Sequence, residues 1–191
     1  MKERPIIFSG PMVRAILEGR KTMTRRVVKN AHIITCDDRT GATDTRCPYG
    51  VPGDRLWVKE TFYVDHGDFF YGGPLPKERP IWADDMLYFR ADSPRGSCCD
   101  LIPECQCAEV GPTKWRSSIH MPRWASRITL EVVGVLVQRV QDISEEDARA
   151  EGFASRAEFA AYWDTIHGPG AWERNDWVWV FEYRRFEEGE R

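Results

Sequence analysis

The sequence lacks long apolar runs, a secretion signal and an excess of positive charge. No stretch of its 191 residues approaches the roughly 20 apolar residues that a membrane-spanning helix needs. Residues 1–5 contain no apolar core of a signal peptide. The formal net charge is −3, whereas proteins that coat duplexes are usually basic. We therefore expect a cytoplasmic protein that binds nucleic acid, if at all, through local clusters of cations.

The sequence also lacks internal repeats and low-complexity tracts, and its length suits one core. We predict a single domain over residues 1–191. Six cysteines occur without an export signal, which favours reduced thiols or metal ligands over disulfides. Eight tryptophans are many for this length. Most should pack in the core, although indole rings beside cations also stack on bases.

A dense cluster of cations follows the first predicted helix. Apolar residues recur on one side of residues 11–18, which predicts a helix that Gly19 ends. Residues 19–26 then form a basic turn with two threonines and four cations. The cations are Arg20, Lys21, Arg25 and Arg26.

An extended run from Met23 onward should alternate its side chains, so that Thr24 and Arg26 face one way and Arg25 the other. A lysine, a threonine hydroxyl and a guanidinium would then converge on an anionic or polar ligand. The alternative is a solvated basic turn that caps the helix dipole. Residue types alone favour neither reading.

The remaining pattern predicts strands and short helices around a long insertion. Residues 29–53 are polar and read as a loop. Residues 63–125 read as an insertion with a strand at 86–90, because no periodic stretch there supplies a separate core. Predicted strands cover residues 5–8, 54–62, 128–140 and 177–183, with a bulge near Gly134 in the third.

Two serines predict the starts of two further helices. Ser144 begins a short acidic helix that ends at Gly152, and Ser155 begins a second helix. The apolar side of the second helix contains Phe159, Tyr162, Trp163 and Ile166. Together the elements indicate an α+β protein: a small, strongly bent sheet or β-barrel with flanking helices and a loop-rich insertion.

Four stretches, taken in order, resemble the ASCH family of PUA-like β-barrel proteins, especially its phage and prophage members. They are the Gly-x-Lys-x-x-Thr turn at residues 19–24, the strand at 53–58, the segment at 143–152 and the aromatic strand at 177–183. The insertion has no counterpart in this resemblance. The resemblance implies a small PUA-like barrel.

The resemblance also implies three kinds of function: RNA binding, ribonuclease activity, or hydrolysis of an acyl group from N4-acetylcytidine. The hydrolases use a lysine, a threonine and a glutamate, which match Lys21, Thr24 and Glu151 here. The third match is looser, because Glu145, Glu146 and Asp147 lie in the same short helix. The resemblance implies RNA or a modified nucleoside as the partner, and no cofactor.

Amide hydrolysis needs an activated nucleophile, a stabilised oxyanion and a proton for the leaving nitrogen. Burial and neighbouring cations would lower the pKa of Lys21, so that it acts as a base towards Thr24 or a water. Glu151 would protonate the amine or orient Lys21. These two roles conflict, because a carboxylate partner keeps a lysine protonated.

Several other side chains are candidates for contact with phosphate or base. Guanidinium groups do not deprotonate, so arginines here suit binding rather than proton transfer. Aromatic rings suit stacking, although core packing is the more common role. The predicted ligand-binding residues are Arg20, Arg25, Arg26, Trp57 and Arg123. His120 reads as an ordinary hydrogen-bonded side chain.

Four cysteines fall within ten residues, which is typical of structural zinc sites. They are Cys98, Cys99, Cys105 and Cys107. The usual two-residue gaps are missing, so we favour free thiols and predict no metal at the proposed site. Cys36 and Cys47 would join such a cluster only if their loop meets this one.

Overall fold

The computed structural model describes residues 1–29, 47–64, 87–93 and 115–186. The chain divides into two compact units. The first contains Met1–Arg4, Ala15–Leu56 and Leu130–Arg191, and the second contains Pro5–Arg14 and Trp57–Thr129. The single domain predicted for residues 1–191, with its insertion at 63–125, stays a prediction.

The described chain contains seven strands and three α-helices. The strands are β1 (Glu3–Ile7), β2 (Met23–Val27), β3 (Arg55–Lys59), β4 (Phe62–Val64), β5 (Leu87–Phe89), β6 (Thr129–Arg139) and β7 (Trp177–Arg185). The helices are α1 (Gly10–Leu17), α2 (Glu145–Ala150) and α3 (Arg156–His167). In the part of the chain that is described, no helix is long and apolar enough to cross a membrane.

Five strands form one sheet in the order β1-β3-β6-β7-β2, and β4 pairs with β5 separately. β7 is antiparallel to both of its neighbours. β1 and β3 are parallel, because the Arg55 N–H donates to the Lys2 carbonyl and the Phe8 N–H donates to the Lys59 carbonyl. This mixed sheet with few helices confirms the α+β class.

The core of the first unit forms where β7 packs against α2 and α3. Val178 and Val180 alternate with aromatic residues along β7, and both are buried with Phe159 and Trp163 of α3. Ser155 caps α3 by accepting a hydrogen bond from the Glu158 N–H, as predicted.

One residue of the predicted apolar side of α3 is exposed. Ile166 is 54% exposed, so that part of the prediction is wrong. It lies in the last turn of α3, beyond the turns whose side chains form the core with β7.

A register shift in β6 confirms the predicted bulge at Gly134. The pairing with β7 slips between Val132 and Gly134. A Cβ at position 134 would lie 3.1 Å from the Glu182 carboxylate, so the side-chain-free residue also allows this close approach.

The predicted strand at residues 54–62 is two strands, β3 and β4, separated at Glu60 and Thr61. The Glu60 carboxylate is buried and accepts two hydrogen bonds from Arg127, at 2.9 and 3.1 Å. Arg127 also binds Asp92. Burial raises the pKa of Glu60, and the Arg127 guanidinium opposes that rise. The break between the two strands thus coincides with the buried carboxylate that pairs with Arg127.

The predicted strand at residues 86–90 is observed as β5, followed by a 3-10 turn at Arg90–Asp92. Met86, residues 30–46 of the predicted loop and the end of the chain from residue 187 lie outside the described residues. The second unit has a small core of its own, made by Phe62, Val64, Met121 and Ala125.

Two glycines with the same φ angle give a matched stability test. Gly152 and Gly168 both have φ near +93°, which L-residues rarely adopt. A Cβ at Gly152 would lie 3.2 Å from the Ala15 Cβ, whereas one at Gly168 meets nothing within 4 Å among the described residues. We expect Gly168→Ala to lower the free energy of unfolding by about 1–2 kcal/mol through strain alone. Gly152→Ala should cost more in urea denaturation, and equal losses would contradict the close approach.

Candidate functional site

The basic turn is held by main-chain hydrogen bonds that direct Lys21 inward. Gly19 adopts a φ of +73°, and the N–H groups of Arg20 and Lys21 then donate to the Ala15 carbonyl at 2.9 and 3.0 Å. The Thr22 N–H donates to the Ala150 carbonyl at 2.8 Å. The end of α1, the end of α2 and the start of β2 thus meet around Lys21, which is 3% exposed.

Three acceptors surround the Lys21 ammonium. Its Nζ donates to the Met23 carbonyl at 2.8 Å, to the Glu151 carbonyl at 2.9 Å and to Glu151 Oε2 at 2.6 Å. An ammonium has three protons, and three acceptors at these distances receive all of them. The geometry therefore fits the protonated form of Lys21.

Glu151 joins Lys21 to a second buried cation. It is the residue that follows α2, and its Oε1 accepts from Arg25 Nη1 at 3.1 Å. Arg25 Nη2 donates to Asp147 Oδ2 at 2.7 Å. We call Lys21, Arg25, Asp147 and Glu151 the charged centre. It contains two cations and two carboxylates in a row, so its formal charges cancel.

Burial and the neighbouring charges oppose each other at Lys21. Burial lowers the pKa of Lys21, the Glu151 carboxylate raises it, and Arg26 and Arg25 lower it further. The net direction is downward from 10.5. A lysine in this position gives up its proton more easily than one in water, and the Glu151 carboxylate limits that effect.

Tyr183 of β7 lies against the same turn. Its hydroxyl donates to the Met23 carbonyl at 3.4 Å, and its N–H donates to the Thr22 carbonyl at 2.9 Å. Burial and the Glu151 carboxylate raise the pKa of Tyr183 well above 10.0. The Tyr183 side chain is therefore neutral and packs beside the charged centre.

The structure brings two of the three predicted catalytic residues into contact, and it places the third on the face of β2 opposite to Arg25. Lys21 and Glu151 form an ion pair although 130 positions separate them. Thr24 is buried opposite Phe181 of β7 and leaves the other face of β2 from Arg25. The catalytic role of all three stays a prediction.

The predicted ligand-binding residues have different environments. The Arg25 side chain is 0% exposed and bonded within the charged centre. Arg20 is 55% exposed and pairs with Glu18. In the second unit, Arg123 Cζ lies 6.0 Å from the centroid of the half-buried Trp57 ring. Ligand contact by these residues and by Arg26 stays a prediction.

The sequence contains a signal for the carboxylate of Asp147, to which no role was predicted. Asp147 and Glu151 are four residues apart, so they project from the same face of α2 and its last turn. Glu145 and Glu146 are exposed. The helical period therefore separates Asp147 and Glu151 from the two exposed acids. The contacts then show Glu151 bound to Lys21 and Arg25, and Asp147 bound to Arg25.

The predicted cysteine cluster cannot be placed on this fold. Cys98, Cys99, Cys105, Cys107 and Cys36 all lie outside the described residues. Cys47 is described, is buried and has a free thiol, and burial raises its pKa. Free thiols in the cluster stay a prediction.

Comparison with known proteins identifies no family for this chain. No family model matches it, and no curated protein matches it. Among solved structures, the chain is similar to the crystal structure of protein EF3133 from Enterococcus faecalis V583, of the family DUF984. The TM-score is 0.43 and the sequence identity 10%, over 97% of this chain and 80% of that chain. A likeness this distant carries no argument about activity, and the ASCH resemblance stays a prediction.

The charged centre predicts unequal costs for losing its members. Glu151→Gln leaves Lys21 and Arg25 as two buried cations without their shared carboxylate, so we expect a loss of about 3–5 kcal/mol in the free energy of unfolding. Lys21→Met leaves Glu151 paired with Arg25 and should cost about 1–3 kcal/mol. Urea denaturation at neutral pH measures both.

The control is Glu146→Gln, the same substitution at an exposed position of α2. It should change the free energy of unfolding by no more than about 0.5 kcal/mol. A Lys21→Met loss as large as that of Glu151→Gln would show that Glu151 does not neutralise both cations.

Proposed function

We propose that the chain is an ASCH-type protein of the PUA-like β-barrel class that binds a modified nucleoside and hydrolyses an N4-acylated cytosine at the charged centre. The observation that carries the proposal is the 2.6 Å ion pair between Lys21 and Glu151, two of the residues to which the family resemblance assigns the chemistry. In this proposal the protein is cytoplasmic, and its five-stranded sheet is part of the small barrel.

The burial of the pair supports a functional reading. The side chains of Lys21 and Glu151 are 1% and 4% exposed. Removing two charges from water is expensive, and well-packed apolar residues are often at least as stable in such positions. Ionisable groups with shifted pKa values are also concentrated at functional sites. A costly buried pair that joins two distant segments is therefore consistent with a functional site.

The protonated state of Lys21 selects its role in the reaction. Hydrolysis joins a water oxygen to the acyl carbon, breaks the bond from that carbon to N4, and gives N4 a proton. In this role one N–H of the Lys21 ammonium exchanges its protein acceptor for the substrate, where it stabilises the oxyanion and delivers the proton to N4. Glu151 then receives the proton that the attacking water loses and returns it to Lys21. This assignment resolves the conflict between a base and its carboxylate partner.

Thr24 has a separate place in the proposal. Its side chain leaves β2 on the face opposite to Arg25, so it serves as nucleophile or water-positioning group only for substrate that reaches that face. Thr24→Ala therefore tests a different part of the proposal from the substitutions in the charged centre.

A second candidate is an RNA-binding module without chemistry. The observation that favours it is the set of three protein acceptors around Lys21 Nζ, which uses every proton of the ammonium inside the protein. In that case the charged centre is structural, and exposed cations such as Arg20 and Arg123 contact phosphates. RNA cleavage would instead indicate the ribonuclease reading.

The hydrolase proposal predicts that the protein converts N4-acetylcytidine to cytidine and acetate. Chromatography of the reaction mixture measures this conversion. Lys21→Met and Glu151→Gln should lower kcat/KM by about 10²- to 10⁴-fold, because each removes a proton-transfer partner. Circular dichroism confirms that each variant is folded. Glu146→Gln, exposed on the same helix, should retain full activity. No turnover by the unchanged protein, or turnover indifferent to both substitutions, would exclude the proposal.

The binding-module candidate predicts salt-dependent affinity for single-stranded RNA. Each phosphate contact contributes a slope of about −0.7 in a plot of log affinity against log salt. Arg20→Ala and Arg123→Ala should each weaken binding and reduce that slope, whereas the charged centre should not matter beyond its effect on folding. Fluorescence anisotropy at several salt concentrations measures this. An affinity that does not change with salt would rule out phosphate-driven binding.

A further inference from the structure

We infer that Arg25 and Asp147 are positioning residues for Glu151. Asp147 anchors one arm of the Arg25 guanidinium, and the other arm holds one oxygen of Glu151 so that its second oxygen faces Lys21. This inference rests on the proposed function, because it assigns how the groups of that same site are oriented. It concerns orientation and charge, since a guanidinium does not exchange its proton during a reaction.

The distances show a different cation on each oxygen of Glu151. Oε1 lies 3.1 Å from Arg25 Nη1, and Oε2 lies 2.6 Å from Lys21 Nζ. Two contacts on opposite oxygens fix the plane of a carboxylate, whereas one contact leaves it free to turn. The Oε2 atom is therefore held at Lys21 by a bond made on the other side of the carboxylate.

The spacing of α2 explains how one guanidinium reaches both acids. Asp147 and Glu151 lie one turn apart on the same face, and the Asp147 N–H is itself fixed by a 3.0 Å hydrogen bond to the Ser144 hydroxyl at the start of α2. Arg25 extends from β2 across that face and places one terminal nitrogen on each acid. A planar fork spans two carboxylates, whereas the single nitrogen of a lysine does not.

The burial of Arg25 supports a positioning role. Its side chain is 0% exposed, while that of Asp147 is 29% exposed and forms the end of the row nearest to water. Its Nε–H is buried, and among the described residues no acceptor lies within hydrogen-bond distance of it. An unpaired buried donor costs stability. Arg25 thus leaves its Nε–H unpaired in the same conformation that lets its terminal nitrogens bind both carboxylates.

The groups facing Lys21 set the direction of the expected change. Glu151 raises the pKa of Lys21, whereas Arg26 and Arg25 lower it. The neutral Tyr183 hydroxyl lies beside the Met23 carbonyl that Lys21 also contacts. Removing the Arg25 charge takes away one lowering influence. It also leaves the carboxylate of Glu151 to Lys21 alone, so both effects raise the pKa of Lys21.

The test is Arg25→Met, a neutral substitution of similar length, with two measurements on the full chain. Nuclear magnetic resonance titration of the Lys21 side chain should show a higher pKa than in the unchanged protein. Because Lys21 then loses its proton at higher pH, the basic limb of the kcat profile for N4-acetylcytidine should move upward in pH. We also expect kcat to fall about 10- to 100-fold with little change in KM, because the reacting groups lose their alignment.

Two further variants separate charge from geometry. Arg25→Lys retains the cation without the fork, so the pKa of Lys21 should stay low while kcat stays reduced. Arg149→Met makes the same substitution as the test at an exposed position of α2 and should change neither value. Circular dichroism confirms the folded state of each variant.

The outcomes separate this inference from the proposed function. A Lys21 pKa that Arg25→Met leaves unchanged would overturn the positioning role, as would full recovery of kcat by Arg25→Lys. Absence of N4-acetylcytidine hydrolysis in the unchanged protein would overturn the proposed function alone. The Lys21 titration would still test whether Arg25 holds the carboxylate of Glu151.

Discussion

The buried ion pair between Lys21 and Glu151 is the constraint around which the first unit is arranged. A buried Lys21 ammonium is costly without the Glu151 carboxylate, so its charge requires the segment after α1 to meet the segment after α2. Main-chain bonds support the same meeting, because Thr22 donates to the end of α2 and accepts from Tyr183 of β7. The sheet and the helices of this unit are therefore held together by the Lys21–Glu151 ion pair as well as by an apolar core.

The apolar and charged parts of that unit are continuous. Val180 of β7 pairs with Arg25, and the guanidinium carbon of Arg25 lies 5.9 Å from the centroid of the Phe159 ring of α3. The aliphatic part of Arg25 thus runs beside the core that α3 covers, while its terminal nitrogens reach the two acids of α2. Packing of α3 against β7 consequently helps to hold the charges in place.

Much of the fold could be predicted because its signals are local. Serine caps identified α2 and α3, and the change of phase at Gly134 identified the bulge in β6. Contacts between residues that are distant in the sequence were harder to predict. Pattern and resemblance suggested Glu151 as the partner of Lys21. The helical period separates Asp147 and Glu151 from the exposed Glu145 and Glu146, but only the observed contacts decide between those two. The buried carboxylate at Glu60 has no local signal, since its partner Arg127 is 67 positions away.

The shortness of α2 gives this region an unusual intolerance of changes in length. Six residues carry the whole distance from the cap at Ser144 to the acid at Glu151. One added residue between Asp147 and Glu151 would turn the second carboxylate by about 100° around the helix axis. Most loops accept such insertions, whereas here the spacing of residues along the helix determines which side chains reach the site. Natural variation in this protein should accordingly alter the amino acids of α2 without altering their number.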